Sequence, residues 1–267
     1  MIDRHAPLFV HSDMARGMVA AKRCGAKIDP RAMQESLRDF LVSLVDVGRE
    51  GLIFPAFNYD YGAARVFDVA NDPVQVGQLA EWMRQSGEMK RTRVPFFSFL
   101  AGADLELDTS GEINPFGAAS GFQHLLDSEA TLVLFGAPLA SLTFIHFVEE
   151  MTGGPAYRYV KRFPGTIIDA DGSQECDFAM HVRPMGVHLD YDWPRLEADL
   201  RAQRLLHQRE DAPTLQWLSA RALMEYWGNR IAEDPFYLID QTSRDIFAKV
   251  TDGGRTRVQQ ADFEPAA

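Results

Sequence analysis

The chain has 267 residues, enough for one or two domains with a real hydrophobic core, and its 46% hydrophobic and 24% charged residues exclude an intrinsically disordered polymer. Against 38 acidic residues stand 27 Lys and Arg, a formal charge of −11 that argues against a nucleic-acid partner. Cys24 and Cys176 form no CxxC and share no metal-ligand spacing, so no disulfide framework and no zinc site is expected and a reducing cytoplasm fits best.

In chain order, Leu8–Val10 reads as a buried strand that runs into a polar loop at His11-Ser12-Asp13. Asp29-Pro30 opens an amphipathic helix over about 30–47, closed by Gly48. A second apolar strand, Gly51–Phe57, contains Pro55, which ends it or puts it at an edge. The stretch from Asn58 to Val74 lacks periodicity and is expected to be a long loop. A helix over about 75–85, a strand over 93–101, a short helix over about 120–126, a strand over 131–136 and a helix over about 142–151 follow. Asp171-Gly172 between two strand-like runs signals a hairpin over 157–184, and helices over about 194–206 and 217–232 finish the ordered part. This alternation predicts a three-layer α/β/α sandwich with a mixed sheet, plus a C-terminal helical or α+β portion. Residues 1–250 are expected to form one domain and 251–267 to fray. The opening MIDRHAPLFVHSD breaks its apolar stretch with charges and does not read as a signal peptide, and no run approaches the roughly 18 apolar residues of a membrane span.

The most informative segment is Gly136–Phe163, where a strand ends, Ser141 and Thr143 offer N-caps, and His146 and Glu149 lie three apart on one helix face. A carboxylate beside an imidazole fixes its tautomer and raises its basicity, as a general base requires; the plainer reading is a hydrogen-bonded core histidine. An amine attacking a carbonyl also needs a group to hold the ammonium and donors for the oxyanion. Ser98 with Asp104 or Asp108 could serve the first, unless Ser98 merely satisfies a backbone group; the helix N-termini near Ser120 and Ser141 could serve the second. Arg16, Lys22 and Arg23 could meet phosphates, and Gly136-Ala137-Pro138 would let an amide approach backbone, though that glycine may serve only the turn. Tyr59 and Asp60 lie just past a strand end, where α/β ligands bind, and Tyr157, Arg158 and Lys161 could hold a diphosphate. His181, His188, Asp190 and Asp192 match no metal-ligand spacing.

The strings LFVHSDMARGM, GLIFPAFNYDY, SLTFIHFVEE and YRYVK, in this order over residues 7–165, resemble the aminoglycoside 3-N-acetyltransferase family. That resemblance implies a three-layer fold with a mixed sheet and acyl transfer from an acyl-coenzyme A to a sugar amine, with no metal. It implies that His146 is the active-site histidine and Glu149 its acid, and that the loop His11-Ser12-Asp13-Met14 lies by the coenzyme. Thr92–Ser98 lacks the second histidine of the antibiotic-modifying members, and Phe116–Gly121 departs from their Gly-Glu-Gly-Ser-Pro. RVPFFSF and YRYVKRFPG are instead similar to the branch that acylates nucleotide-linked amino sugars for polysaccharide biosynthesis. The expectation is therefore a cytoplasmic N-acyltransferase acting on such a sugar by direct attack, since no GxSxG or cysteine nucleophile motif is present. Its partners are small molecules, not nucleic acid or membrane, and an oligomer is compatible. The alternatives are aminoglycoside acetylation in antibiotic resistance, or an inactive homologue that serves as a binding or scaffold subunit.

Overall fold

The structure, a computed structural model, describes residues 2–105, 107, 109, 111–251 and 255–263. Its strands are β1 (Leu8–Ser12), β2 (Leu52–Pro55), β3 (Val66–Asp68), β4 (Lys90–Arg91), β5 (Phe99–Ala101), β6 (Glu112–Ile113), β7 (Thr131–Phe135), β8 (Tyr159–Arg162), β9 (Gly165–Asp169), β10 (Gly172–Val182), β11 (His207–Gln208) and β12 (Leu215–Ser219). The helices are α1 (Met14–Arg23), α2 (Met33–Val42), α3 (Tyr61–Ala64), α4 (Gln78–Ser86), α5 (Gly121–Asp127), α6 (Phe144–Met151), α7 (Trp193–Ala202), α8 (Ala220–Glu233) and α9 (Gln241–Thr251).

Seven strands form the main sheet in the order β11-β12-β7-β1-β2-β5-β4. β7, β1 and β2 run parallel, and β12 and β5 pair antiparallel on either side, so the sheet is mixed. Alternation along the strands divides the core. Leu8, Val10, Leu52, Phe54, Val133 and Phe135 face α1, α2 and α4, while Phe9, Ile53, Leu132 and Leu134 face α5, α6 and α8. These are the three layers expected. Each fully buried Phe, such as Phe9 or Phe122, contributes about 1.5–3 kcal/mol. A second mixed sheet, β3-β9-β10-β6 with β8 on β10, stands over the cluster Tyr61, Phe67, Phe96, Phe163 and Phe178. The Asp171-Gly172 hairpin is present, with Gly172 at a φ of 122°.

Several expectations are corrected. The supposed loop after Asn58 contains α3 and β3, a four-residue helix and a three-residue strand too short to show a period. The strand foreseen over 93–101 is cut to β5 because Phe96 adopts a left-handed φ of 60° after Pro95 and the Phe97 N–H bonds back to the Pro95 carbonyl at 2.7 Å. Residues 217–219, read as the start of a helix, belong instead to the main-sheet strand β12, whose Ser219 then caps α8. The tail is longer in structure than foreseen: α9 was missed, and residues 255–263 dock through buried Val258 and through Arg257 on the Gly153 and Gly154 carbonyls.

Candidate active site

Because β1, β2 and β7 are parallel, their C-terminal ends open on one side, and there the chain leaves a cleft of about 780 Å³. His11 and Ser12 end β1, Phe57 and Tyr59 follow β2, and Ala137 and Ser141 follow β7. Thr143 and His146 come from the start of α6, and Arg158, Arg183, Asp190, Tyr191 and Trp193 close the far side.

α6 is apolar around most of its circumference, burying Phe144, Ile145, Phe147 and Val148, and it carries Glu149 with them to 3% exposure. Four groups compensate that charge. His146 Nδ1 lies 3.0 Å from Glu149 Oε2, the Tyr157 and Tyr191 hydroxyls donate to Oε1 at 2.7 and 2.8 Å, and Arg158 Nε stands 3.4 Å from Oε2. Arg158 Nε–H makes no hydrogen bond at that distance, and Arg158 Nη2 donates to the Tyr191 oxygen at 2.9 Å. With the Tyr191 proton spent on Glu149, its oxygen accepts from His146 Nδ1–H at 3.0 Å. The proton on Nδ1 is thereby fixed, and Nε2 keeps its lone pair for the cleft.

The electrostatics agree with that assignment. Burial alone would raise the Glu149 pKa, but the Arg158 charge and the hydrogen bonds from His146 and Tyr157 hold it at about 2. Burial lowers the His146 pKa below its usual value, and the Glu149 hydrogen bond only partly offsets this. At neutral pH the pair is an ionised carboxylate beside a neutral imidazole, the state a general base needs. His11, 5% exposed, is pushed down by burial to about 3, and its Nε2 has no hydrogen-bond partner. It is a neutral ring at the cleft.

Of the expected coenzyme residues, His11, Ser12 and Ala137 line the cleft. Asp13 instead caps α1 by accepting from the Arg16 N–H at 2.9 Å, Met14, the first residue of α1, packs on the apolar cluster under that helix, and Arg16 does not line the cleft. Gly136, at φ 78°, answers to the chain itself, since a Cβ there would stand 2.5 Å from the Gly17 nitrogen. Ser120 caps α5 and lines a separate cavity of about 30 Å³. Ser98 is fully buried, donating to the Ala56 carbonyl at 2.6 Å and accepting from Arg91 Nε, so it satisfies a backbone group rather than an amine. Asp104 is exposed and pairs with Lys90. Asp108 lies outside the described residues. Tyr59 lines the cleft, half exposed; the Asp60 carbonyl instead anchors α3. Tyr157 and Arg158, expected to hold substrate, hold Glu149. His181 bonds to Glu150 and Arg257, and His188 to Asp240. Among the described residues no group of three or more His, Cys, Asp and Glu could hold a metal. Arg183, Tyr191 and Trp193 were missed by sequence reasoning; the first two arrive on the segment between β10 and α7, where no periodicity marks them, and Trp193 is the first residue of α7.

No helix among the described residues is long and apolar enough to cross a membrane. No curated protein matches the chain at a significant level. Among solved structures, "AAC-IIIb binary with CoASH" superposes with a TM-score of 0.68 at 17% identity, covering 87% of this chain and 91% of that one. The aminoglycoside acetyltransferase AAC(3)-IVa apoenzyme superposes with a TM-score of 0.65 at 18% identity, over 91% and 88%. The YokD protein from Bacillus subtilis gives 0.63 at 13% identity, over 87% and 89%. Likeness at these identities shows the fold. The family is shown by its sequence profile, which matches residues 54–231 and so takes in the whole His146–Glu149–Arg158–Tyr191 network. The chain belongs to the aminoglycoside 3-N-acetyltransferase family and is an acetyl-CoA-dependent N-acetyltransferase.

Proposed function

We propose that the protein moves an acetyl group from acetyl-CoA to an amine of an aminoglycoside-type amino sugar by direct attack, with His146 as the base. The observation that carries this reading is the His146 ring itself, tied through Nδ1 to Glu149 and Tyr191 and open at Nε2 toward the cleft. The amine nitrogen adds to the thioester carbonyl as His146 takes its proton; the C–S bond then breaks, and the departing thiolate receives a proton to leave as free coenzyme A. Ser141, Thr143 and the N-terminus of α6 line the cleft beside His146, and they are the donors suited to the oxyanion. Ser120 lines a separate cavity and not this cleft. Cys24 and Cys176 line neither the catalytic cleft nor its neighbour, which supports transfer without an acyl-enzyme.

The fold is shared with AAC-IIIb, solved with CoASH, and with AAC(3)-IVa, solved in complex with apramycin, which supports a coenzyme A donor and an aminoglycoside acceptor. A second acceptor, a nucleotide-linked amino sugar, is favoured by one observation. Asp190 is the one carboxylate lining the cleft among the described residues, and Arg158 and Arg183 line it too, whereas a polycation is held best by several carboxylates. The intact base network speaks against a purely scaffolding role. The test is thiol release from acetyl-CoA with gentamicin, apramycin and uridine- and deoxythymidine-linked amino sugars, comparing wild type with His146→Ala. Turnover of an amino sugar that collapses in the variant is expected; turnover unchanged in the variant would overturn the assignment of the base.

A further inference from the structure

A second cleft, of about 340 Å³, adjoins the catalytic one, and Phe97, His146, Arg158 and Arg183 line both. Five of its seven remaining lining residues are apolar, Phe116, Phe163, Met180, Val182 and Met185, and the other two are Lys161, singled out in the sequence as a cation, and His181. Phe116 meets the His146 ring edge-on at 5.4 Å between centroids, and Met185 is 71% exposed at the rim. No carboxylate lines this cleft among the described residues. His181, also in the lining, has both ring nitrogens engaged, by Glu150 and by Arg257, and offers a ligand no open lone pair. The volume lies within the roughly 300–1,000 Å³ of small-molecule sites.

We propose that this cleft holds the acyl chain of a donor longer than acetyl-CoA, so that the enzyme accepts straight-chain acyl-CoA thioesters of four to six carbons. The inference rests on the transfer reading above. Direct attack puts the thioester carbon beside His146 Nε2, and the substituent on that carbon projects away from sulfur. With the pantetheine arm and the acceptor both in the larger cleft, the space adjoining His146 that remains for the acyl chain is the mostly apolar one. Aromatic and thioether walls suit a hydrocarbon chain, and the unbranched methionines can follow its length. The chemistry is the same for any chain: the amine nitrogen gains the acyl carbon, the C–S bond breaks, and coenzyme A leaves as the thiol with a proton. Each buried methylene is worth up to about fourfold in affinity.

Calorimetric binding of free coenzyme A, acetyl-CoA, butyryl-CoA and hexanoyl-CoA tests this without any acceptor. Hexanoyl-CoA is expected to bind at least about tenfold more tightly than acetyl-CoA, with butyryl-CoA between them. Met180→Trp, which fills the cleft from β10, should erase the gain, and Val182→Phe provides a second variant, with circular dichroism reporting the fold of each. Equal affinity for acetyl- and hexanoyl-CoA would overturn the proposal and leave acetyl transfer standing, and so would a gain that both folded variants retain. Binding of none of the four would overturn the coenzyme A reading itself. If Met180→Trp raised the KM for the acceptor and left the hexanoyl preference intact, the cleft would belong to the acceptor and the proposal would fall.

Discussion

α6 carries two successive glutamates just before its last residue, and each pairs with a histidine. Glu149 meets His146 at 3.0 Å on its own helix; Glu150 bonds His181 on β10. The pairs differ in what remains unsatisfied. His181 has Glu150 on Nδ1 and Arg257 Nη1 on Nε2 at 2.8 Å, and Asn114 donates to Glu150 at 2.9 Å. His146 has its hydrogen bonds on Nδ1, shared between Glu149 and Tyr191, and lines the larger cleft. A His–Glu contact is therefore no signature of catalysis. What sets His146 apart is that its hydrogen bonds all fall on Nδ1, while Arg158 and two tyrosines complete the shell of Glu149.

The largest effect should come from the His146 ring. His146→Ala should lower kcat/KM in the thiol-release assay by about 10²–10⁴-fold, with a stability loss of only about 1–3 kcal/mol because buried Glu149 loses one of its four partners. Arg158→Met should act on stability first, since it leaves Glu149 a buried charge without its cation, at a cost of about 3–5 kcal/mol in urea titration at pH 7. Its acid behaviour follows from linkage. Glu149 has its folded pKa held at about 2, below its ordinary value, so its contribution is present above that ordinary value and is lost as pH falls toward about 2. Without Arg158 the loss should begin at higher pH. Tyr191→Phe removes an acceptor for Nδ1–H and a donor to Glu149, and a drop of about tenfold in kcat with little change in the KM for acetyl-CoA is expected. The wild-type pH profile sharpens the point: the base works when neutral and burial lowers its pKa, so kcat/KM should rise with pH through a midpoint that lies below the usual imidazole value of about 6.5. His181→Gln should cost about 1–3 kcal/mol of stability through the Glu150 and Arg257 bonds. A kinetic loss there as large as that of His146→Ala would erase the distinction between the pairs.

Legibility in the sequence followed the range of the interactions. The His146–Glu149 pair is a local i,i+3 relation on one helix and could be read directly. The strands β1 and β7 carry the apolar runs Leu8–Val10 and Leu132–Phe135, from which the three-layer alternation followed, although β1 continues through His11 and Ser12, which read as loop. The strand β12 was hidden because Leu215–Leu218 fits a buried strand as well as a helix turn, although Ser219, in an N-cap position, marked where the helix begins. Arg158 was visible as a cation but not as the counter-ion of a carboxylate nine residues earlier, a contact made only once β8 folds against α6. Tyr191 lies 45 positions from His146 and joins it through tertiary structure alone. Ser98 misled because a hydroxyl in an apolar strand reads equally as a ligand or as a partner for a carbonyl, and here it serves Ala56.

Phe96 sits in a left-handed backbone conformation that costs a non-glycine residue roughly 1–3 kcal/mol, and its ring packs among Tyr61, Phe163 and Phe178 at 5.2–5.3 Å. That packing offsets the cost, and the turn it enforces brings Phe97 to the wall shared by both clefts. Substrate preference in this fold can therefore drift through the aromatic filling under the second sheet: a substitution at Tyr61 or Phe178 that lets residue 96 relax would withdraw a cleft wall without altering any residue that touches the ligand.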